Sequence, residues 1–392
     1  MKNDYRKLIF VSENNNNKYY EMQWDGGSTF FVKYGRIDVT AQTGTYSYSM
    51  WNSKYREKIK KGYIDITDKV TIQVENNNEK EIYVDIKEKI VNDFIIKMKE
   101  YTDKLVSNTY STKAESVSQK QVDEAQKLID EINEMGTKSI NIINQKLIEL
   151  YTVIPRRMNK VKDYLTPNIR LDIHMKQEQD NLDAIASQVS MIAPKKRKKN
   201  TKSINILEKI GITIKEVKSN KDIQYIIDQC DNRIGRKIKA IFEINNKKEN
   251  KIFKTWLDNQ KNKQTKMLIH GTRNTSVIPI LEMGLKIRPF GNFQFSGKVY
   301  GDGNYFSETV QKSLNYTGNN SDKVLLIYEV HIGNPFTYSG WYTGNSFKLN
   351  YKNLKDRGFD STFVSAGNGL LNSEIIAYKE EQAKIKYILW LN

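Results

Sequence analysis

Apolar residues occur in short runs over the first part of the chain, and polar turns rich in Asn and Gly separate them. The runs lie at residues 8–11, 19–24 and 29–33. Aromatic and β-branched runs bounded by such turns predict β-strands. A basic, aromatic stretch follows at residues 51–63, where Gly62 is a plausible helix stop. We therefore predict a small β domain that carries one helix.

A helical period replaces this pattern between residues 91 and 191. Ser118 and Gln121 have the spacing of a capping box, Gly136 ends the helix that they begin, and Pro155 stops the next one. Each helix has one apolar face. The residues on these faces are Val122, Ala125, Leu128, Ile129 and Ile132, then Ile140, Ile143, Leu147, Leu150 and Tyr151, then Leu182, Ile185 and Val189. The pattern predicts an all-α helical bundle, and an inert spacer bundle would have the same pattern.

The last part of the chain mixes strands with a few helices. Residues 206–216 predict a strand and residues 223–230 a helix, and more strands are predicted at 240–244, 323–332 and 387–391. Short strands in this arrangement are typical of a mixed α+β sheet rather than of alternating parallel units. The sequence contains no Walker loop and no Rossmann fingerprint. We therefore predict a multi-domain α+β protein.

The composition narrows the functional classes. The chain has 392 residues, a formal net charge of +17 and a pI near 9.4, which favours a polyanionic partner such as nucleic acid. A Lys- and Asn-rich composition inherited from an AT-rich genome would explain part of this charge. The single cysteine excludes an intramolecular disulfide, and the three histidines lack zinc-site spacing, so we expect no metal. Because no apolar run is long enough to span a membrane, we expect a soluble, intracellular protein without a membrane partner.

Residues 267–316 have the features of a ligand pocket. His270 and Gly271 follow a short apolar run, so a histidine lies where a glycine lets a ligand approach the backbone closely. Tyr305 follows a glycine turn some thirty residues later, and a predicted helix then carries Lys312, Ser313 and Tyr316. Two rings, a hydroxyl and an exposed amide suit a flat ring that carries an amide. Taken singly, a histidine after a strand is more often structural, and the chain has 23 tyrosines.

Four motifs together closely resemble the catalytic domain of the poly(ADP-ribose) polymerase (PARP) family, in order and in spacing. The motifs are H-G-T-R at 270–273, G-N-Y-F at 303–306, K-S-L-N-Y at 312–316 and N-S-E at 372–374. The resemblance implies a split antiparallel sheet that binds NAD+ as a substrate. It also implies that the H-Y-E signature of the family, the catalytic set, is His270, Tyr305 and Glu374.

The same resemblance implies how NAD+ is held. His270 would bind the ribose hydroxyl on the adenosine side, while the Gly271 backbone and the Ser313 hydroxyl would hold the nicotinamide carboxamide. Tyr305 and Tyr316 would enclose the nicotinamide ring. The other residues assigned to NAD+ binding are Thr272 and Lys286.

Glu374 would bind the 2′-hydroxyl of the nicotinamide ribose and orient or deprotonate the acceptor. Cleavage leaves an oxocarbenium-like ribose, whose positive charge a fixed carboxylate stabilises. Lys312 and Asp302 would lie on the acceptor side. Asp302 stands where the best-known relatives have lysine, and its charge would repel the pyrophosphate of an acceptor ADP-ribose. Lys286 stands where many relatives have arginine, and a lysine lacks the planar fork of arginine.

The N-terminal strands and helix resemble a WGR domain, with Y-G-R at 34–36 and tyrosine in place of the signature tryptophan. In relatives this domain binds the end of broken DNA, so the implied DNA contacts are Tyr34, Arg36 and Lys58. A ring stacks on an exposed base or sugar, and a cation neutralises phosphate. We interpret Trp24 and Trp51 as core residues of the small domain.

The helical segment resembles the regulatory helical domain of the same family, in its position and in its L-Y-T-V-I-P stretch at 150–155. In the family this bundle covers the NAD+ site until DNA binding loosens it, which shifts a conformational population. The predicted domains are a WGR-like domain at 1–80, a regulatory helical domain at 85–192, a basic linker at 193–204 and an ADP-ribosyltransferase domain at 205–392.

The resulting hypothesis is a DNA-break-dependent NAD+ ADP-ribosyltransferase that releases nicotinamide and modifies proteins, including itself, with polymer elongation. The alternatives are a catalytically weak DNA-end-binding scaffold, a mono-ADP-ribosyltransferase, and an enzyme that modifies nucleic acid ends. The basic run at 194–199 is typical of a nuclear localisation signal or of a solvated linker. We expect a nuclear protein if the host is eukaryotic, and otherwise a cytoplasmic, DNA-associated one.

Overall fold

The computed structural model describes most of the chain, and this chain divides into two compact units. The first unit holds residues 1–79 and 104–192, and the second holds residues 80–103, 193–289 and 294–392. The described residues are 4–69, 83–136, 139–191, 204–230, 238–288, 298–340, 344, 346–367 and 370–392. The basic run at 194–199 lies outside them. Among the helices of these described residues, none is long and apolar enough to cross a membrane.

The first unit contains a five-stranded antiparallel sheet with the order β4-β3-β2-β1-β5. Its elements are β1 (Asp4–Ser12), β2 (Asn16–Trp24), β3 (Thr29–Arg36), β4 (Gln42–Ser47), α1 (Trp51–Lys60) and β5 (Ile64–Asp65). The strands and the helix predicted from the apolar runs are confirmed. The helix ends just before Gly62, whose φ of 85° lies in the left-handed region that glycine tolerates.

The tryptophans of this small sheet have the structural role that the sequence indicated. Trp51 begins α1, is buried, and meets Phe30 edge-on with ring centroids 5.0 Å apart. Trp24 packs at the margin of the same apolar cluster, where it stacks on Tyr48 at 4.0 Å. Both rings therefore stabilise the packing of α1 and its flanks on the sheet.

The helices of this part of the chain follow the predicted amphipathic pattern closely. They are α2 (Lys89–Thr109), α3 (Gln119–Met135), α4 (Ile140–Val153) and α5 (Leu171–Met191). The capping box at Ser118 and Gln121 is present, and α3 packs against both α4 and α5 through its predicted apolar face. One prediction is wrong: Ile140 is about half exposed, because it begins α4 and lies beyond the packed turns.

Within the first unit, the segment at residues 156–161 connects the sheet to these helices. The Arg36 guanidinium donates to the Asn159 carbonyl at 2.6 Å, and the Asn17 side-chain amide donates to the Arg156 carbonyl at 3.0 Å. The backbone amide of Val161 donates to the Asn15 side chain at 3.0 Å. The bonds of Asn17 and Val161 satisfy buried and half-buried polar groups of an irregular segment, whereas the bond of Arg36 is exposed. Arg36, predicted to contact DNA, is therefore already bonded within the protein.

The second unit is built on two sheets. One has the order β6-β7-β14-β10-β8 and is antiparallel throughout, and the other has the order β11-β12-β13-β9. Its elements are α6 (Ile206–Ile210), β6 (Ile212–Glu216), α7 (Asn220–Cys230), β7 (Ile238–Asn246), α8 (Lys247–Asp258), β8 (Thr265–Gly271), α9 (Asn274–Met283), β9 (Asn304–Phe306), α10 (Val310–Leu314), β10 (Lys323–His331), β11 (Pro335–Tyr338), α11 (Tyr351–Lys355), β12 (Ser361–Val364), β13 (Glu374–Ala377) and β14 (Ala383–Leu391).

Two details of this unit differ from the sequence prediction. Residues 206–210 form a helix rather than a strand, because Asn205 and Glu208 make a capping box and Gly211 ends the turn in the left-handed conformation. The smaller sheet is not purely antiparallel, since β11 and β12 run parallel. The other predicted strands of this unit, at 240–244, 323–332 and 387–391, are confirmed.

The core of the second unit lies around the central strand β10. Leu325 and Ile327 on one face and Leu326 and Tyr328 on the other are all buried, because β10 pairs with β14 on one side and β8 on the other. Residues 89–103 of α2 belong to this unit. Its Phe94 ring packs against the rings of Phe242 and Trp390, at centroid distances of 4.9 and 5.4 Å.

Candidate active site

The two sheets of the second unit meet where β8 approaches the residue after β9. The Ile269 amide donates to the Ser307 carbonyl at 2.8 Å, and the Ser307 amide donates to the Ile269 carbonyl at 2.9 Å. This bridge places His270 beside Tyr305, whose carbonyl accepts a hydrogen bond from the His270 ring at 3.0 Å. Because a carbonyl only accepts, the Nδ1 atom of His270 carries a hydrogen, which leaves Nε2 as the acceptor in the neutral ring.

Gly271 lies directly against the backbone of α10. A Cβ atom at this position would be 1.8 Å from the Ser313 carbonyl oxygen, far inside any van der Waals contact. The buried Ser313 hydroxyl is next to the same strand, and it donates a long hydrogen bond of 3.4 Å to the Ile269 carbonyl. A backbone amide and a serine hydroxyl, both predicted to hold a carboxamide, are thus brought together by the missing side chain of one glycine.

Tyr305 is fixed at both ends. Its backbone pairs with Ile376 across β9 and β13, and its hydroxyl accepts from the Tyr300 amide and donates to the Gly301 carbonyl, both at 2.9 Å. Burial is the largest of the causes that raise the pKa of this phenol well above its ordinary value. The hydroxyl therefore stays protonated, and the side chain cannot swing about its Cα–Cβ bond without breaking two hydrogen bonds.

Glu374 begins β13, and its carboxylate lies inside the site. Only 4% of the residue is exposed, and its Oε1 atom is 2.5 Å from Nζ of Lys312 on α10. Burial, followed by the negative charge of Glu374, raises the pKa of Tyr316. The predicted helix ends at Leu314, so Tyr316 lies in the turn after it, with 43% of its surface exposed. The site thus combines a largely buried ion pair with one exposed ring, Tyr316, and one half-buried ring, Tyr305.

Lys286 and Asp302 both have ionic partners that their sequence positions did not reveal. Lys286 pairs with Glu380 at 2.8 Å, and Asp302 pairs with Lys298 at 3.2 Å. The positive charge of Lys298 offsets the repulsion that Asp302 was expected to exert on a pyrophosphate. Lys298 and Asp302 lie outside any helix, so their i,i+4 spacing gave no signal, and nothing in the sequence linked Lys286 to a residue 94 positions away.

The structure brings together His270, Gly271, Tyr305, Ser313 and Glu374 in the second unit. Thr272 is buried directly after β8. The three predicted DNA-contact residues lie in the first unit. There the Lys58 ammonium is 4.3 Å from the ring centroid of Tyr20 and 5.9 Å from that of Tyr34. Lys58, Tyr20 and Tyr34 therefore form an aromatic and cationic cluster.

Sequence analysis missed a largely buried carboxyl, that of Glu249, close behind the site. Glu249 accepts a hydrogen bond of 3.2 Å from the Ile385 amide at the irregularity in the β10–β14 pairing. Burial raises the pKa of Glu249 to about 7. Tyr328, whose buried ring lies 6.4 Å from the His270 ring, has a pKa raised by burial and then by Glu249.

This shift predicts a pH-dependent stability. The folded state holds the Glu249 proton more tightly than the unfolded chain does, so stability decreases as pH rises from about 4.5 through 7. Replacement by glutamine keeps an acceptor for the Ile385 amide but cannot ionise. We expect Glu249→Gln to be more stable than the wild type at pH 8 by about 1–3 kcal/mol and nearly equal at pH 5.

Thermal unfolding between pH 5 and pH 8 measures this difference, and Glu243→Gln on the exposed side of β7 is the matched control. Equal midpoints for Glu249→Gln and wild type at pH 8 would show that Glu249 is ionised without cost in the folded protein.

Two family models match this chain. A family model described as the poly(ADP-ribose) polymerase catalytic domain matches residues 220–392, a range that contains every residue assigned to NAD+. A second, described as the WGR domain, matches residues 6–70, which contain Tyr34, Arg36 and Lys58.

Individual relatives were found in a virus and in animals. Poly [ADP-ribose] polymerase-like 100L of Invertebrate iridescent virus 6 is 56% identical over 177 residues, which are 45% of this chain and 96% of that protein. Uncharacterized protein 101L of the same virus is 43% identical over 204 residues, covering 52% and 83% of the two chains. Poly [ADP-ribose] polymerase 1 of Gallus gallus is 26% identical over 313 residues, covering 70% of this chain and 30% of that protein.

Proposed function

Because this chain belongs to the poly(ADP-ribose) polymerase family and is an NAD+ ADP-ribosyltransferase, we propose that His270, Tyr305 and Glu374 are its catalytic set. In this proposal the enzyme cleaves NAD+, releases nicotinamide, and transfers ADP-ribose to proteins, including itself, with chain elongation. The observation that carries the proposal is the buried Glu374–Lys312 pair at 2.5 Å, in the same site as the Gly271–Ser313 contact.

The nicotinamide end of NAD+ is held by β8 and α10 in this proposal. The Gly271 backbone and the Ser313 hydroxyl bind the carboxamide, which replaces the long 3.4 Å bond from Ser313 to the Ile269 carbonyl. Tyr305 and Tyr316 stack on the ring, Tyr305 from a position locked by its hydroxyl. Nicotinamide departs as a neutral molecule, so these residues need to bind and orient it and do not need to protonate it.

The adenosine end lies on the side of His270. With Nδ1 donating to Tyr305, the Nε2 atom can accept from a ribose hydroxyl. Thr272 and Lys286 complete the contacts of this half. Lys286 forms an exposed ion pair of 2.8 Å with Glu380, so its contact with the adenosine half has to compete with that pair.

Glu374 performs the chemistry at the ribose. As the bond to nicotinamide lengthens, positive charge develops on the ribose, and the carboxylate stabilises it while it binds the 2′-hydroxyl. The same carboxylate then orients or deprotonates the acceptor. Lys312 holds Glu374 in place from the acceptor side, to which Asp302, paired with Lys298, is also assigned.

We further propose that the first unit makes the enzyme responsive to DNA breaks. Support comes from the WGR match, from the net charge of +17, and from Tyr34, Arg36 and Lys58 on one domain. A DNA contact at Arg36 has to compete with its bonds to Asn159 and Asn15, so DNA binding there would alter the segment next to α5. The proposed domains keep the boundaries 1–80, 85–192, 193–204 and 205–392, with the helical domain as the regulatory part.

The test of this function is automodification of the purified chain with labelled NAD+, with and without nicked DNA. We expect labelling that is stimulated by DNA and spreads to high mass. Protease treatment should remove the high-mass label, whereas nuclease treatment should leave it intact. A discrete band would instead indicate mono-transfer and would point to Asp302 as the residue that prevents elongation. Labelling that nuclease removes would indicate a nucleic acid acceptor, and no labelling at all would leave only a DNA-end-binding scaffold.

The DNA contact is tested separately by Lys58→Met. Each phosphate contact contributes about one unit to the slope of log affinity against log salt, so we expect this variant to lower the slope by about 1 and to weaken binding of nicked DNA about threefold or more. Fluorescence anisotropy at several salt concentrations measures both. Lys248→Met, an exposed lysine of α8 in the second unit, is the matched control. Identical slopes for Lys58→Met and wild type would remove Lys58 from the DNA interface.

A further inference from the structure

A second carboxylate, Glu308, lies next to the catalytic region and has no role in the mechanism above. It follows Ser307, the residue that joins β9 to β8, and precedes α10. Its two oxygens have different partners. Oε1 forms an ion pair with Lys266 on β8, and Oε2 accepts a hydrogen bond of 2.9 Å from the Ser373 hydroxyl.

Ser373 is the residue directly before Glu374. The strand β13 begins at Glu374, so the chain that leads into it has no sheet partner at residues 370–373. Leu371, two residues before Ser373, is 95% exposed. The hydrogen bond to Glu308 therefore fixes the backbone at the point where an irregular segment becomes the strand that carries the catalytic carboxylate.

The two ends of Glu374 are thus held by two separate clamps. Lys312 holds the carboxylate itself, while the chain Lys266–Glu308–Ser373 holds the backbone just before it. Burial opposes ionisation of Glu308, but its bonds to Lys266 and Ser373 outweigh burial and keep the pKa of this carboxyl below its ordinary value. Glu308 is therefore an anion at neutral pH, which strengthens the bond from the Ser373 hydroxyl.

We propose that Glu308 is a positioning residue that, through Ser373, sets where the Glu374 carboxylate meets the nicotinamide ribose. The inference rests on the role proposed for Glu374. Because Lys266 belongs to the strand that carries His270, the clamp ties the two halves of the NAD+ site to each other. A displacement of about 1 Å at a reacting group costs up to about 10²-fold in rate, so a backbone clamp at this point affects kcat.

The experiment compares Glu308→Ala, Glu308→Gln and Ser373→Ala by steady-state nicotinamide release over a range of NAD+ concentrations. We expect Glu308→Ala and Ser373→Ala each to lower kcat about tenfold with KM for NAD+ changed less than about twofold, since NAD+ contacts are retained. Glu308→Gln keeps an oxygen for the Ser373 hydroxyl and should lose less. The double variant Glu308→Ala/Ser373→Ala should lower kcat no more than either single variant does, because the two substitutions remove the same hydrogen bond.

Hydrogen exchange supplies a readout that does not depend on activity. The amides of residues 370–378 should exchange faster in Glu308→Ala and Ser373→Ala than in the wild type. Glu243→Ala, which removes an exposed carboxylate of β7, should change neither exchange in this peptide nor kcat.

The possible results separate the inference from the proposed function. Additive losses in the double variant, equal losses in Glu308→Gln and Glu308→Ala, or unchanged exchange at residues 370–378 would each overturn the positioning role. If Glu308→Ala does not fold, Ser373→Ala decides the question, because it leaves the Lys266–Glu308 pair intact. Faster exchange in Glu308→Ala and Ser373→Ala, together with a wild type that releases no nicotinamide, would support the clamp and reject the proposed function.

Discussion

Replacement of Glu374 by glutamine is expected to lower kcat for nicotinamide release by about 10²–10³-fold, with KM for NAD+ changed by less than about threefold. Glutamine has the same shape and can still bind a ribose hydroxyl, so binding is largely retained. It has no negative charge, and the ribose develops positive charge only as the bond to nicotinamide breaks. The loss therefore falls on the transition state rather than on the bound substrate.

Initial rates of nicotinamide release over a range of NAD+ concentrations measure both constants for Glu374→Gln. Because the buried carboxylate is paired with Lys312, the unfolding midpoint has to be measured as well, since removing one partner of a buried pair is destabilising. Glu243→Gln, an exposed carboxylate on β7, serves as the control. A kcat within fivefold of the wild type in a folded Glu374→Gln variant would mean that another group stabilises the ribose.

The second large effect is expected from a single methyl group at Gly271. A Cβ atom there would lie 1.8 Å from the Ser313 carbonyl oxygen and 2.6 Å from its carbonyl carbon, so α10 has to move away by more than 1 Å. That movement carries Ser313 and Lys312 with it. We expect Gly271→Ala to lower kcat/KM about 10²-fold or more and to weaken inhibition by the product nicotinamide, because the carboxamide contacts separate.

Gly344→Ala is the matched control for this substitution, because a Cβ atom at residue 344 would have no neighbour within 4 Å. Circular dichroism should show that the secondary structure of Gly271→Ala is retained, with stability lower by about 1–3 kcal/mol from the local overpacking. If Gly271→Ala kept both kcat/KM and nicotinamide inhibition within threefold of the wild type, the contact between β8 and α10 would have no part in binding the nicotinamide.

Much of the local structure was predictable because its causes lie within a few residues. The capping box at Ser118 and Gln121 and the stop at Gly62 were both readable, since each depends on neighbours in the chain. The prediction of a strand at residues 206–210 was wrong although the cause of the helix there is also local. Asn205, Glu208 and Gly211 are helix-terminal signals, and the apolar residues between them obscured those signals. Short apolar runs are ambiguous between strand and helix, and the capping residues decide.

The parallel pairing of β11 and β12 was not predictable in this way. Each strand has a suitable local sequence, but the direction of pairing depends on how the 22 residues between Tyr338 and Ser361 return to the sheet. The exposure of Ile140 has a similar cause, because its apolar side chain points away from the packed turns of α3 and α4. Position in the fold, rather than residue type, decided both outcomes.

The sequence by itself determined which chemical groups are available: a histidine before a glycine, two tyrosines, a serine and a glutamate, in an order that resembles one enzyme family. Only the tertiary structure decided how these groups are held. The pairs Lys312–Glu374, Lys286–Glu380 and Lys266–Glu308, and the Glu308–Ser373 bond, join residues at least 42 positions apart. The order of charges along the chain does not predict such pairs, because they form only when the folded sheets bring distant segments within hydrogen-bonding distance.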